Sequence, residues 1–272
     1  MRQLVGVGFL ALLLAACGGG GAAGADDPGP APAWRPAPTD TWNWQLQGAV
    51  DTRVDAQVYD IDLFEVPAAT IAGLQAQGRR VVCYFSAGSA EDFRADFAAF
   101  DAADLGTPLD GWPGERWVDT RSANVRRILQ ARLDLAAAKG CDGVEPDNMD
   151  GYDNAPGFPL TAATQLDFNR FVATEARRRG LAVGLKNDVA QLDALEPFFD
   201  FAVNEECHAF DECAAYRVFT ARGKAVFNAE YRQALVDDPV ARADLCGRAR
   251  AAGLRTLVLP LRLDGTFRHA CD

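Results

Sequence analysis

Short apolar runs alternate with longer stretches of three-and-four spacing along most of this chain, and five of the longer stretches end in a glycine followed almost at once by an apolar run. The junctions are Gly78 before Val81-Val82-Cys83-Tyr84-Phe85, Gly140 before Val144, Gly180 before Leu181-Ala182-Val183-Gly184-Leu185, Gly223 before Ala225-Val226-Phe227, and Gly253 before Leu257-Val258-Leu259. Glycine suits the left-handed residue that closes a helix, so the pattern predicts helix, glycine, strand five times over. Val125, Ile128, Leu129, Leu133 and Ala136 fall on one helical face, as do Phe168, Phe171, Val172 and Ala176, and each such face needs a sheet to cover it. Pro67 and Pro239 suit first helical turns, and Thr161 and Asp211 suit N-caps.

Three further runs, Trp42 to Leu46, Gln57 to Ile61 and Phe199 to Val203, bring the expected strands to eight. Strands separated by helices imply a parallel sheet covered on its outside. The expected fold class is α/β, a single (β/α)8 TIM barrel. An open doubly wound sheet is the alternative; it normally carries a Gly-rich phosphate loop after its first strand, and Gln45-Leu46-Gln47-Gly48 is not one.

The first forty residues follow a different pattern. After Met1-Arg2-Gln3 comes an apolar stretch from Leu4 to Ala16, ending Leu14-Ala15-Ala16-Cys17, a lipobox-like small-residue sequence before a cysteine. At about 1.5 Å per residue that stretch spans roughly 20 Å, short of the roughly 30 Å hydrocarbon core, so it reads as an export signal rather than a membrane span. Residues 1–16 are expected to be a signal peptide. By resemblance to bacterial lipoprotein signals, Cys17 is the lipidated residue and residues 17–39, rich in Gly, Ala and Pro, form a flexible linker. The barrel is assigned to residues 40–272, close to the roughly 250 residues typical of that fold. The expected location is the bacterial cell envelope, with the membrane met only through the lipid.

Setting Cys17 aside leaves six cysteines, Cys83, Cys141, Cys207, Cys213, Cys246 and Cys271, and in an exported protein an even set favours disulfides. Six cysteines allow about 15 pairings. The pairing expected is Cys207–Cys213, Cys246–Cys271 and Cys83–Cys141. A zinc site is the competing use, but there is no C-x-x-C and His208 and His269 are the only histidines, so neither metal nor cofactor is expected. The net charge of −11 argues against nucleic acid, which needs clustered Lys and Arg, and favours a cationic ligand, although acidity also serves solubility. A monomer is expected.

In a barrel of this kind the active site gathers where strands run into the loops that follow them. Those ends carry Gln45 and Gln47, Asp60 and Asp62, Tyr84 and Ser86, Glu145 and Asp147, Lys186 and Asn187, Asn204 with Glu205 and Glu206, and Asn228 with Glu230 and Tyr231. Desolvating so many polar groups serves a binding cavity, catalytic or not. There is no G-x-S-x-G and no H-E-x-x-H, whereas two carboxylates suffice for glycoside cleavage. Asp147 ends the fourth expected strand. Glu205 and Glu206 compete at the end of the sixth, and spacing does not separate them. Glu145 reads as a buried partner of Asp147 or a sugar contact, Lys186 as a counter-ion or a substrate contact. Asp142 suits a turn cap. Asp150 and Asp153 fail an EF-hand match, because Pro146 falls at its first ligand position. The stretch from Ala87 to Thr120 is expected to be a long loop whose Trp112 and Trp117 stack on sugar or form the loop's own core.

Taken together and in order, Trp42-Asn43-Trp44-Gln45-Leu46, Val58-Tyr59-Asp60-Ile61-Asp62, Cys83-Tyr84-Phe85-Ser86-Ala87-Gly88, Gly143-Val144-Glu145-Pro146-Asp147-Asn148 with Asp150, Leu185-Lys186-Asn187 and Val203-Asn204-Glu205-Glu206-Cys207 resemble the TIM-barrel glycoside hydrolases of family 114, the endo-α-1,4-polygalactosaminidase group. The resemblance covers nearly the whole barrel. It implies cleavage inside chains of α-1,4-linked galactosamine by Asp147 and Glu205, which breaks the tie with Glu206. Asp147 is assigned as nucleophile and Glu205 as acid/base. Asp60, Asp62, Tyr84, Glu145, Lys186, Asn187, Glu206, Tyr231, Trp112 and Trp117 are the expected substrate contacts, on an amino-sugar polysaccharide. A non-catalytic polysaccharide-binding lipoprotein is the other reading.

Overall fold

The computed structural model describes residues 27–272; the expected signal segment, Cys17 and the linker as far as residue 26 lie outside the described residues. Twelve strands are present among the described residues: β1 (Trp42–Gln45), β2 (Val58–Asp62), β3 (Arg80–Ser86), β4 (Ser89–Glu91), β5 (Leu105–Pro108), β6 (Glu115–Val118), β7 (Gly143–Asp147), β8 (Ala182–Lys186), β9 (Phe201–Glu205), β10 (Val226–Glu230), β11 (Arg255–Val258) and β12 (His269–Ala270). Eight of them, β1 to β3 and β7 to β11, lie parallel and in chain order. A doubly wound sheet reverses its order at a switch point; this one does not, and the sheet curls until Trp42 of β1 stacks on Phe227 of β10 with centroids 4.8 Å apart. The seam is closed by β12, antiparallel to β11, with Arg268 donating to the Trp42 carbonyl at 2.6 Å and the Trp42 indole donating to the Arg255 carbonyl at 2.8 Å.

All five predicted glycines close their helices in the left-handed region, with φ of 79° at Gly78, 84° at Gly140, 76° at Gly180, 68° at Gly223 and 74° at Gly253. Thr161 caps helix Ala162–Arg178 and Asp238 caps helix Pro239–Ala252. Asp211 does not start a helix: it ends the short turn Cys207–Phe210 in the left-handed region. The three expected disulfides are present, Cys83–Cys141, Cys207–Cys213 and Cys246–Cys271.

Strand alternation sorts the core into two shells. Outward residues such as Ile61, Val81, Phe85, Val144 and Leu185 pack under the helices with Ile128, Leu133, Phe168 and Val172. Inward residues Trp42, Trp44, Val58, Val82, Phe201, Val203, Phe227 and Leu257 fill the barrel. Gly184 makes room inside: a Cβ there would stand 2.5 Å from the Phe201 ring.

Two regions differ from expectation. The stretch after β3 is not a plain loop, because β4, β6 and β5 form an antiparallel sheet over the mouth. Residues 27–39, assigned to the linker, also pack on the barrel. From Asp27 the chain runs as a strap across the barrel floor: Thr174 and Arg177 donate to the Asp27 and Pro28 carbonyls, the Trp34 ring lies 5.8 Å from the Arg80 guanidinium and packs on the inner core, and Arg255 donates to the Pro38 carbonyl at 2.8 Å. Arg80 and Arg255 are the first residues of their strands, which puts the strap opposite the mouth.

Candidate active site

Above the apolar layers the inward positions turn polar, and they converge on one ammonium. Lys186 ends β8 fully buried, its Nζ 3.0 Å from Asp147 Oδ1, 3.1 Å from Glu205 Oε2 and 3.2 Å from Glu145 Oε1. The Trp44 ring lies beneath it, 4.9 Å from centroid to Nζ. Burial works against the Lys186 charge, but Asp147, Glu205 and Glu145 outweigh it and hold the group protonated well above the usual lysine range. Lys186, weighed as counter-ion or substrate contact, pairs with three carboxyl groups and also lines the cleft.

Asp147 is surrounded by donors. Besides Lys186, the Tyr84 hydroxyl donates to Oδ2 at 2.8 Å and the Asn148 N–H to Oδ1 at 2.7 Å. Three donors thus hold the two Asp147 oxygens in place. Glu205 has two, Lys186 on one oxygen and the Tyr231 hydroxyl on the other at 2.5 Å. Burial and then the neighbouring carboxylates push both phenols upward, so they stay protonated as donors. The distances to the shared Nζ cap the separation of the two facing carboxylate oxygens at about 6 Å.

The backbone breaks sharply after each of these strands. Asn148, Asn187 and Glu206 follow Asp147, Lys186 and Glu205, with φ of 59°, 45° and 61°. Non-glycine residues held there cost about 1–3 kcal/mol each, and asparagine bears it best. Asn187 also accepts the Glu205 N–H at 2.9 Å, fixing the end of β9. Gly88 belongs to the same corner, since a Cβ there would meet the Asn148 carbonyl oxygen at 1.8 Å.

Other expected contacts fall elsewhere. Glu206 does not line the cleft; it is one residue past the inward Glu205, as Asn204 is one before it. Asn204 instead bonds Tyr216, Asn228 and the Cys207 N–H, and Glu230 accepts the His208 N–H, all on the outward side. Asp62 borders the cleft but is saturated by Arg94 at 2.6 Å and 3.1 Å and by the N–H groups of Phe64 and Glu65. It anchors Arg94, which also binds Glu91 of β4 and so ties the covering sheet to the barrel. Gln45 pins the loop after β1 through Gln47, Ala49 and Asp51. Asp142 sits at the floor, bonded to Arg80, Gln75 and the Val81 N–H.

The cleft holds about 840 Å³ and takes one wall from the covering sheet. Both tryptophans line it, Trp112 with 45% of its surface exposed and Trp117, in β6, with 7%. The sequence reading missed Trp44, Arg94 and Glu115. Trp44 carried a signal, since it shares the inward parity of Trp42. Glu115 accepts from Ser89 and lies 3.4 Å from Asn148 Nδ2; burial, then the Glu91 and Asp147 charges, lift it to about 7 despite the Ser89 bond. Burial and then Asp147 lift Asp150, also on the cleft, to about 6. Among the described residues one group could gather on a metal, Cys207, His208 and Cys213, but its two sulfurs are bonded to each other.

A (β/α)8 barrel with paired acids at the C-terminal mouth and an aromatic-edged cleft defines a carbohydrate-active hydrolase. The chain belongs to glycoside-hydrolase family GH114, whose model matches residues 24–272, and it is a glycosidase. It is similar to Ega3 of Aspergillus fumigatus, solved in complex with galactosamine, at 42% identity and a TM-score of 0.85 over 89% of this chain and 99% of that one. The glycoside hydrolase domain of PelA from Pseudomonas aeruginosa shares the fold, with 15% identity and a TM-score of 0.65 over 83% of this chain and 96% of that one. An uncharacterised protein of Deinococcus radiodurans is 29% identical over 93% of this chain and 95% of its own length.

Proposed function

We propose that this glycosidase cleaves within α-1,4-linked galactosamine polymers, with Asp147 as nucleophile and Glu205 as acid/base. The observation that carries the reading is the meeting of both carboxylates on the Lys186 ammonium, which caps their facing oxygens at about 6 Å. Carboxyl groups about 5–5.5 Å apart suit a covalent intermediate and retention, while inversion needs roughly 6.5–9.5 Å. The similarity to a protein solved with galactosamine supports the sugar.

Glu205 gives its proton to the glycosidic oxygen as Asp147 attacks the anomeric carbon; the C–O bond breaks and the sugar is held on Asp147 as an ester. Glu205 then takes a proton from water, whose oxygen attacks the same carbon and frees Asp147. At the first step Lys186 loses a negative partner as Asp147 becomes an ester and gains one as Glu205 ionises. The ammonium therefore keeps a neighbour of opposite charge throughout, without moving. Asp110 and Asp150 around the cleft attract the ammonium groups of a de-acetylated polymer.

We also propose export and lipid attachment through Cys17, supported by the Leu14-Ala15-Ala16-Cys17 sequence. Fatty-acid labelling that survives in Cys17→Ala would overturn it. For the activity, purified protein should release new reducing ends from de-acetylated α-1,4-galactosamine polymer, and folded Asp147→Asn and Glu205→Gln should not. A folded, inactive wild type that still binds polymer would sink the hydrolytic reading.

A further inference from the structure

Under the catalytic pair lie two carboxyl groups to which the reaction above gives no task. Glu145 of β7 and Asp60 of β2 are 0% and 1% exposed. Among the described residues, no donor other than the two carboxyls themselves is hydrogen-bonded to any of their four oxygens. The cation in contact is Lys186, 3.2 Å from Glu145 Oε1, and its charge is already shared between Asp147 and Glu205.

We propose that Asp60 and Glu145 hold one proton between them, and that the single negative charge they keep beneath Lys186 maintains Glu205 as an acid. The proposal rests on the reading of Glu205 as acid/base. Two ionised carboxylates in a dry site repel one another and lack donors, a cost that one shared proton removes by letting one carboxyl donate to the other. Burial drives both groups in that direction: it lifts Asp60 to about 7, and it holds Glu145 well above the carboxylate range with the Asp60 charge adding to the effect.

The remaining negative charge acts through Lys186. The ammonium is shared among the carboxyl groups around it, so a buried negative charge on its far side competes with Glu205 for it. The charged and titratable groups facing the pair are Lys186 from β8, Asp147 from β7, Glu205 from β9, Tyr84 from β3 and Tyr231 after β10. Asp62 of β2 turns to Arg94 instead. Both tyrosines remain neutral across the working range, so Lys186, the two catalytic carboxyls and the pair set the local charge.

The test is the pH profile of kcat/KM on galactosamine polymer for wild type, Asp60→Asn, Glu145→Gln and the double variant. If one charge is shared, each single variant leaves it on the surviving carboxyl and moves the basic limb little, whereas the double variant moves that limb down by about one pH unit. A limb that stays in place while the rate falls evenly at all pH values would mean a structural role only and overturn the proposal. Single variants whose shifts sum to that of the double would mean two independent charges, and singles that each move the limb as far as the double would mean that the charge is not handed to the surviving carboxyl; either result overturns it. Wild type inactive on the polymer takes the proposal down together with the functional reading; an active enzyme with an unmoved limb takes down the proposal alone. Should the double variant fail to fold, infrared spectra of the single variants decide: the carbonyl band of the shared, buried protonated carboxyl is expected in wild type and lost in both, and its absence from wild type refutes the shared proton.

Discussion

The two ends of this barrel handle charge in opposite ways. At the floor each buried carboxylate has cations of its own: Asp200 pairs with Arg177 at 2.8 Å, Asp142 with Arg80 at 2.7 Å, and Glu196 with Lys224 at 2.6 Å and Arg222 at 3.1 Å. Asp142 and Asp200 also accept the N–H of Val81 and Val183 at the starts of β3 and β8. At the mouth three carboxylates converge on one lysine, and Asp60 and Glu115 stand by with their protons held into the neutral range. Satisfied pairs fix strands in place. The crowded mouth keeps protons and charges exchangeable, which catalysis needs and stability does not.

The largest effect that would sharpen this contrast is at the mouth. Asp147→Asn and Glu205→Gln should each lower kcat by about 10³-fold or more while the melting temperature holds or rises. Asp200→Asn should do the reverse, because it strands the buried Arg177: about 3–5 kcal/mol less stability in urea titration, with kcat of the folded fraction unchanged. A large loss of kcat there would break the division between the ends. Replacing Cys246 and Cys271 together by serine removes the tie between the last long helix and the C-terminus, and should cost about 2–4 kcal/mol, again without a change in kcat.

A smaller effect concerns pH. The folded pKa of Glu115, about 7, lies above its unfolded value, so the folded state binds the extra proton and loses stability as pH rises from the ordinary carboxylate range to about 7. Glu115→Gln should flatten that part of a melting-temperature scan, and an unchanged slope would count against the assigned proton. The smallest effect belongs to Glu206→Gln, expected within about 0.5 kcal/mol of wild type and with normal kcat. Set beside Glu205→Gln, it tests whether one step past the end of β9 leaves the chemistry behind.

That step marks how far the sequence can be read. The eight strands and their order are legible because glycine-closed helices and apolar runs are local signals, and each of the five glycines does take the left-handed conformation. Asp147 and Lys186 are legible as strand-end charges on a barrel. Asn204, Glu206 and Glu230 are misread when strand ends are taken as blocks, although period-two alternation assigns them outward once Glu205 is fixed as inward. Glu115 comes from a covering sheet with strands of three and four residues, too short to show a period, and Arg94 from the turn that follows β4. The shared proton depends on distances between β2 and β7, which no local pattern encodes.

The strap carries a consequence of its own. Because Asp27 to Asp40 crosses the closed end of the barrel, anything joined ahead of it pulls from the pole opposite the cleft. On the proposed attachment through Cys17, the tether would leave the barrel on the side away from the cleft.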